Sequence, residues 1–149
     1  MKKTLLAFAA IVSMFIITGS AMAEEPLTPA SLQGATVVDN DWVKTNQSKM
    51  KIFDVRKKAE YVEAHLPGAI FVPYDEKSEK AADFDAKKDN LDLSKFPADK
   101  NDPVIVYCNG PRCWKSYKAS VLLVKAGHKK VYWYRDGFPG WKSKGYPVE

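Results

Sequence analysis

Five short apolar runs recur along the chain: Thr36-Val37-Val38, Ile52-Phe53-Asp54-Val55, Ala69-Ile70-Phe71-Val72, Val104-Ile105-Val106-Tyr107 and Val131-Tyr132-Trp133-Tyr134. Most are continuous rather than alternating, the pattern of strands covered on both faces, and the stretches between them are longer than hairpins need. The sheet is therefore expected to be largely parallel. Lys57 to Ala64 predicts one covering helix, stopped at Leu66-Pro67-Gly68, where proline and glycine continue helical geometry only at a cost. Lys115 to Ala126 predicts another, with Ala119, Leu122, Leu123 and Ala126 on one stripe and Tyr117, Val121 and Val124 beside it, so it should be well buried. Gly127 suits its C-terminal cap, and His128-Lys129-Lys130 places positive charge near the negative helix end. Leu27 to Leu32 reads as a short helix with Thr28 as cap, Pro29 at the first helical position and Gly34 closing it. Asp75 to Asp102, lysine-rich with scattered Phe84, Leu91, Leu93 and Phe96, is expected to hold a helix and a long surface connection. The architecture expected is a three-layer α/β domain: about five mostly parallel strands with helices on both faces.

The first residues break this pattern. Met1-Lys2-Lys3 is a short basic start, Leu5 to Ile17 an almost unbroken apolar run, and Ala21-Met22-Ala23 a small-residue ending. Together they read as a secretory signal peptide over residues 1–23, cleaved after Ala23. A retained anchor is the alternative, but the run is shorter than the roughly 20 residues that span a bilayer. Residues 24–149 would then form a single domain, periplasmic or secreted and not membrane-spanning, of a size that builds one core. A monomer is expected. Losing Lys2 and Lys3 takes the formal charge of +5 down by two, and the remaining lysines are mixed with acids from Lys49 to Lys100. Nucleic-acid binding is not expected, because basic residues would then gather with stacking aromatics.

Only two cysteines occur, Cys108 and Cys113, in a chain expected to enter an oxidising space. A bridge between them would close a loop of about six residues, worth roughly 2 kcal/mol in the chain-entropy model, so a purely structural staple gains little there. Their setting points to chemistry instead. Val104 to Tyr107 runs into Cys108-Asn109-Gly110-Pro111-Arg112-Cys113-Trp114-Lys115-Ser116, after which the apolar helix begins. Cys108 would lie at the carboxyl end of a parallel strand, where open α/β sheets bind ligands. A helix starting just beyond it turns unpaired N–H groups toward the sulfur, Arg112 and Lys115 add charge, and each favours the nucleophilic thiolate. Asn109, Gly110, Arg112, Trp114, Lys115 and Ser116 form a candidate anion-binding loop for an oxyanion such as the sulfonate end of thiosulfate. Pro111 withholds one donor from it. His65 and His128 lack partners at ligand spacing, so no metal is expected, and no cofactor is called for.

From about Ala35 to Val148 the sequence resembles the rhodanese homology domain. Asp54, Arg56, Glu60, Tyr61, His65, Pro67, Gly68 and Ala69 are similar to the family's D-x-R-x-x-x-E-(Y/F)-x-x-G-H-I-P-G-A pattern, with Ala64 and Leu66 in place of Gly and Ile. Cys108 follows on its strand. Gly137, Gly140, Trp141, Gly145, Pro147 and Val148 resemble the closing G-G-x-x-x-W-x-x-x-G-x-P-(V/L), with the glycines spaced differently. The resemblance implies a five-stranded parallel sheet, a Cys108 persulfide, and transfer of sulfane sulfur to cyanide, a thiol protein or a small thiol. For the supporting residues an ion pair of Asp54 with Arg56 is expected, Glu60 and His65 tying turns, and Trp141 packing the last helix. The loop departs from the pattern. The family usually closes it with Arg-Ser five residues after the cysteine; here Cys113-Trp114 stands there, Arg112 comes one residue early and Lys115-Ser116 two residues late. Cys113 is thus a candidate resolving thiol, able to attack a Cys108 persulfide and leave a disulfide. The alternatives to sulfur transfer are a thiol–disulfide carrier using both cysteines, a phosphatase or arsenate-reductase-like enzyme, and a non-catalytic binding module.

Overall fold

The structure, a computed structural model, describes residues 24–149. The expected signal peptide, residues 1–23, lies outside them. Five strands, β1 (Ala35–Val38), β2 (Lys51–Asp54), β3 (Ile70–Phe71), β4 (Val104–Tyr107) and β5 (Val131–Tyr134), form one sheet in the order β1-β5-β4-β2-β3, every pair parallel. The central strand β4 is buried at all four positions, which is why its sequence is continuously apolar. Helices α1 (Asn40–Asn46), α2 (Lys58–Glu63), α3 (Trp114–Lys125) and α4 (Gly137–Ser143) complete three layers.

Alternation along β4 sorts the two cores. Val104, Val106 and then Cys108 pack with Ala119 and Leu123 of α3, together with Phe53, Val72 and Phe96. Ile105 and Tyr107 point the other way, into Val43 of α1, Trp141 of α4, and Val38, Ile52 and Tyr134. The pleat thereby puts the Cys108 side chain on the α3 face of the sheet.

Three expectations change. Leu27 to Leu32 is not helical. Thr28 turns its N–H and hydroxyl to the carbonyl of Pro111, both at 2.8 Å, instead of capping a turn of its own. Arg135 holds the Thr28 oxygens from the other side, at 3.0 Å to Oγ1 and 2.8 Å to the carbonyl. These distant partners outbid a short helix that is marginal alone. Secondly, α1 was not foreseen. It is one of the shorter helices, started by Asp39, whose carboxylate accepts from the Trp42 amide at 2.8 Å.

Thirdly, Asp75 to Asp102 contains no α-helix, only 3-10 turns at Ala86–Lys88 and Leu93–Lys95, capped by Asp85 and Asp92. Its order comes from side chains. Asp75 and Asn90 close its neck with a pair of backbone hydrogen bonds at 2.9 and 3.0 Å. Asp89 then accepts from the Lys77 amide (2.7 Å), the Ser78 amide and hydroxyl (2.6 Å each) and the Tyr74 hydroxyl (2.8 Å). Fully buried Lys118 of α3 donates to the Ser78 hydroxyl at 2.8 Å and lies 3.7 Å from Asp89. Burial works against charge on Asp89, but the donors of Ser78, Lys77 and Tyr74 hold its carboxyl at about 2.

Two outcomes test this packing. Asp89→Asn should lower stability at neutral pH by about 2 kcal/mol, the scale of hydrogen bonds to a charged group. Because the folded carboxyl titrates below its unfolded counterpart, that contribution is complete above about pH 4 and fades as pH falls toward 2. Denaturant melts from pH 7 to 2 should therefore show wild type and variant converging at the acid end. In the second test, Gly137 has φ +59 and an added Cβ would strike the carbonyl of Cys108 and the amide of Gly110, whereas Gly145, φ +67, faces open space. Gly137→Ala should cost more than Gly145→Ala, whose conformational penalty alone is about 1–2 kcal/mol. Equal costs in denaturant melts would contradict the packing.

Candidate active site

Cys108 follows directly on β4 and is completely buried. Its carbonyl accepts from the Phe138 amide at 2.9 Å, so the first turn of α4 grips the strand end. The chain then turns through Gly110, φ 96, and closes with the Cys113 amide donating to the Gly110 carbonyl at 2.9 Å. Cys113 occupies the N-cap position of α3 and its own side chain caps nothing. The sulfur of Cys108 takes that duty: the Ser116 amide, in the first turn of α3, donates to it at 3.3 Å. Ser116 Oγ lies 3.1 Å from the same sulfur and accepts from Trp133 Nε1 at 3.0 Å. With its oxygen engaged by the indole, the hydroxyl proton is free to turn to the sulfur. Both donors and the positive end of α3 favour negative charge there.

The two cysteines are joined as a disulfide with 6.3 Å between their Cα atoms. Cys113 is partly exposed, so the bridge runs from the core to the rim of the site.

The other candidates separate. Asn109 is exposed and donates to Glu60 at 2.5 Å, linking the loop to α2. Burial would raise the Glu60 carboxyl, but the Lys57 amide, Asn109 and the charge of Arg56 keep it below the ordinary carboxylate range. Gly110 makes the turn. Trp114 is 4% exposed and packs with Tyr117, Phe84 and Trp133, its indole N–H going to the Pro26 carbonyl at 2.9 Å. Arg112 turns away from the sulfur to the Glu25 carbonyl and the Glu24 carboxylate, at 2.5 and 2.9 Å. Lys115 faces a cleft that it shares with Arg56, Lys57, Lys58, Tyr74 and Glu76, and neither cysteine lines that cleft. Of the candidate anion-binding residues, only Ser116 is brought to the sulfur.

Asp54 and Arg56 form the expected ion pair, at 2.6 Å between Arg56 Nη2 and Asp54 Oδ2 and almost wholly buried. Tyr107 donates its hydroxyl to Asp54 at 2.6 Å and accepts from the Leu66 amide at 3.2 Å, while Arg56 reaches the Ala64 carbonyl at 2.7 Å. Burial, then the Asp54 charge, push the Tyr107 hydroxyl far above its ordinary range and keep it a neutral donor. The Arg56 guanidinium lies 4.2 Å from the centre of the Phe138 ring, the same residue whose amide holds Cys108. His65 pairs with Glu149 through backbone hydrogen bonds at 2.8 and 3.0 Å, which anchors the C-terminus.

Thr28, Arg135, Trp133, Phe138 and Tyr107 were missed by sequence reasoning. Trp133 was detectable in principle, because alternation places it on the α3 face with Val131; the contacts of Thr28 and Arg135 leave no local trace. Among the described residues no group of three or more His, Cys, Asp or Glu could hold a metal ion, and no helix is long and apolar enough to cross a membrane.

Comparison with known proteins adds to this geometry. The profile of the Rhodanese-like domain matches residues 39–144. The chain is 29% identical over 128 residues to Thiosulfate sulfurtransferase 16, chloroplastic, of Arabidopsis thaliana, covering 86% of this chain and 99% of that protein. To the HTH-type transcriptional regulator Rv0324 of Mycobacterium tuberculosis it is 28% identical over 101 residues, 68% of this chain and 38% of that protein. It spans less than half the length of the first curated relatives it matches, 38% and 45%. The crystal structure of the BH2092 protein from Bacillus halodurans is similar with a TM-score of 0.59 and 26% identity, over 76% of each chain.

The role of Ser116 has a direct readout. In a Cys113→Ser background, Ser116→Ala removes the hydroxyl but keeps the amide, and should move the pH midpoint of Cys108 alkylation by iodoacetamide upward by about one unit, the weight of one hydrogen bond to a charged group. An unchanged midpoint would mean that the hydroxyl contributes nothing to the thiolate.

Proposed function

This chain belongs to the rhodanese-like domain family, and on that basis we propose that it is a sulfurtransferase that carries sulfane sulfur as a persulfide on Cys108. The observation that carries this reading is the position of the Cys108 sulfur at the N-terminus of α3, between the amide and hydroxyl of Ser116. That is where a Cys108 thiolate is held by donors fixed in advance. Similarity to a protein named thiosulfate sulfurtransferase supports the same class.

With the bridge reduced, the Cys108 thiolate attacks the outer sulfur of thiosulfate or a similar donor. The donor's sulfur–sulfur bond breaks and sulfite leaves with the electron pair. An acceptor thiolate, from a small thiol or a thiol protein, then takes the outer sulfur and returns Cys108 as thiolate. Alternatively Cys113 attacks the inner sulfur, expels hydrosulfide and forms the Cys108–Cys113 bridge; two electrons from a thiol reductant then restore the site. The existence of that bridge favours a second reading, a thiol–disulfide carrier, in which the two cysteines exchange electrons without sulfur cargo. Either chemistry fits a periplasmic or secreted protein released by cleavage after Ala23.

Mass spectrometry separates the readings. Reduced protein freed of reductant and given thiosulfate should gain the mass of one sulfur, and Cys113→Ser should retain that sulfur for longer because nothing resolves it. Acquisition of the sulfur by Cys108→Ser would refute the assignment. No gain in either wild type or Cys113→Ser would favour the carrier.

A further inference from the structure

The two sulfurs of the bridge differ in the properties that govern thiol–disulfide exchange. Exchange requires a thiolate to reach one sulfur in line with the bond, and it is faster when the other sulfur leaves as a stabilised thiolate. Cys108 is 0% exposed, enclosed by the strand end, α3 and the start of α4. Cys113 is partly exposed at the N-cap of α3, next to exposed Arg112. Accessibility therefore points to Cys113 as the sulfur that is attacked.

Leaving-group stabilisation points the same way. The Cys108 sulfur has the Ser116 amide at 3.3 Å and the Ser116 hydroxyl at 3.1 Å, with Trp133 Nε1 fixing that hydroxyl at 3.0 Å. The side chain of Cys113 makes no capping hydrogen bond to α3. Charge expelled onto Cys108 is met by the two Ser116 donors, against the opposing Cys113 carbonyl oxygen 3.3 Å from the same sulfur, whereas charge expelled onto Cys113 meets no capping hydrogen bond.

We infer that the oxidised site is opened by an external thiol attacking Cys113, with Cys108 as the leaving thiolate, and that the natural reductant is a dithiol. This rests on the bridge being a working state of the site. In the first step the incoming thiolate bonds to Cys113 sulfur, the Cys108–Cys113 bond breaks, and its electron pair stays on Cys108. A mixed disulfide then stands on Cys113 beside a thiolate only five residues away, which recloses the bridge unless the mixed disulfide is removed first. A second thiol on the same reductant has the effective concentration to compete; a separate monothiol must arrive by diffusion. Its attack releases Cys113 as thiolate and the reductant as its own disulfide, a two-electron exchange overall. Cys113 is the covalent partner residue, and Ser116 and Trp133 are positioning residues.

The test uses the full chain, oxidised. Brief exposure to limiting glutathione, an acid quench, alkylation of free thiols and peptide mass mapping should place glutathione on Cys113 and the alkyl group on Cys108. Glutathione mainly on Cys108 would overturn the inference while leaving the bridge itself intact. Dithiothreitol should reduce the protein at least tenfold faster than glutathione at equal thiol concentration; equal rates would overturn the dithiol requirement. Ser116→Ala and Trp133→Phe should slow reduction, by about threefold for Ser116→Ala, because a less stabilised thiolate leaves more slowly. Unchanged rates in a folded variant would remove the positioning role. If protein purified without reductant and then treated with a mild oxidant still shows two free thiols on denaturation and alkylation, the carrier reading fails and this inference with it.

Discussion

Everything at the working end of this protein depends on the end of the central strand being held from two sides. The buried Cys108 carbonyl accepts from the Phe138 amide in the first turn of α4, and its sulfur accepts from the Ser116 amide in the first turn of α3. Two helix N-termini, each with unpaired amides, meet at one residue. Because the strand itself is buried along its whole length, the residue has little freedom to move away from either. Gly137 makes the contact possible, since any side chain at that position would overlap the Cys108 carbonyl.

The buried Asp54–Arg56 pair supports this junction from the neighbouring strand. Its charges are satisfied by Tyr107, the last residue of β4, by the Ala64 carbonyl and by the Arg56 amide, which bonds Asp54 at 2.9 Å. A buried pair of this kind is costly to assemble and contributes little net stability, but losing one partner leaves an uncompensated charge in the core. Its value here is geometric. It ties the ends of β2 and β4 to the Ala64–Leu66 turn and, through the face of Phe138, to α4.

The segment ahead of β1 adds a strap outside the residues matched by the family profile. Thr28 holds the Pro111 carbonyl, Pro26 receives the Trp114 indole, and Glu24 and Glu25 take Arg112. The loop that carries both cysteines is therefore anchored beneath by two helices and above by a strap. The cation expected to clamp an anion serves instead to fasten that strap. Electrostatic support for the sulfur comes from backbone and hydroxyl dipoles, with Lys115 turned to the adjoining cleft.

How far the sequence reached follows from the range of each interaction. Strand runs, the long helix after the cysteine loop, the strand-end position of Cys108 and the pairing of Asp54 with Arg56 were all legible, because periodicity and near neighbours express them. Features set by distant partners were not. Thr28 prefers Pro111, 83 residues away, to capping its own turn, and Arg112 turns to Glu24, 88 residues away, rather than to the sulfur beside it. The Asp75 to Asp102 segment takes its shape from Asp89 and from Lys118 on another element, so its lysine-rich composition misled toward a helix. By itself the sequence determined which elements form and that a cysteine closes the central strand. Only the tertiary structure decided which groups face that sulfur, because the direction of a side chain depends on partners that folding alone brings near.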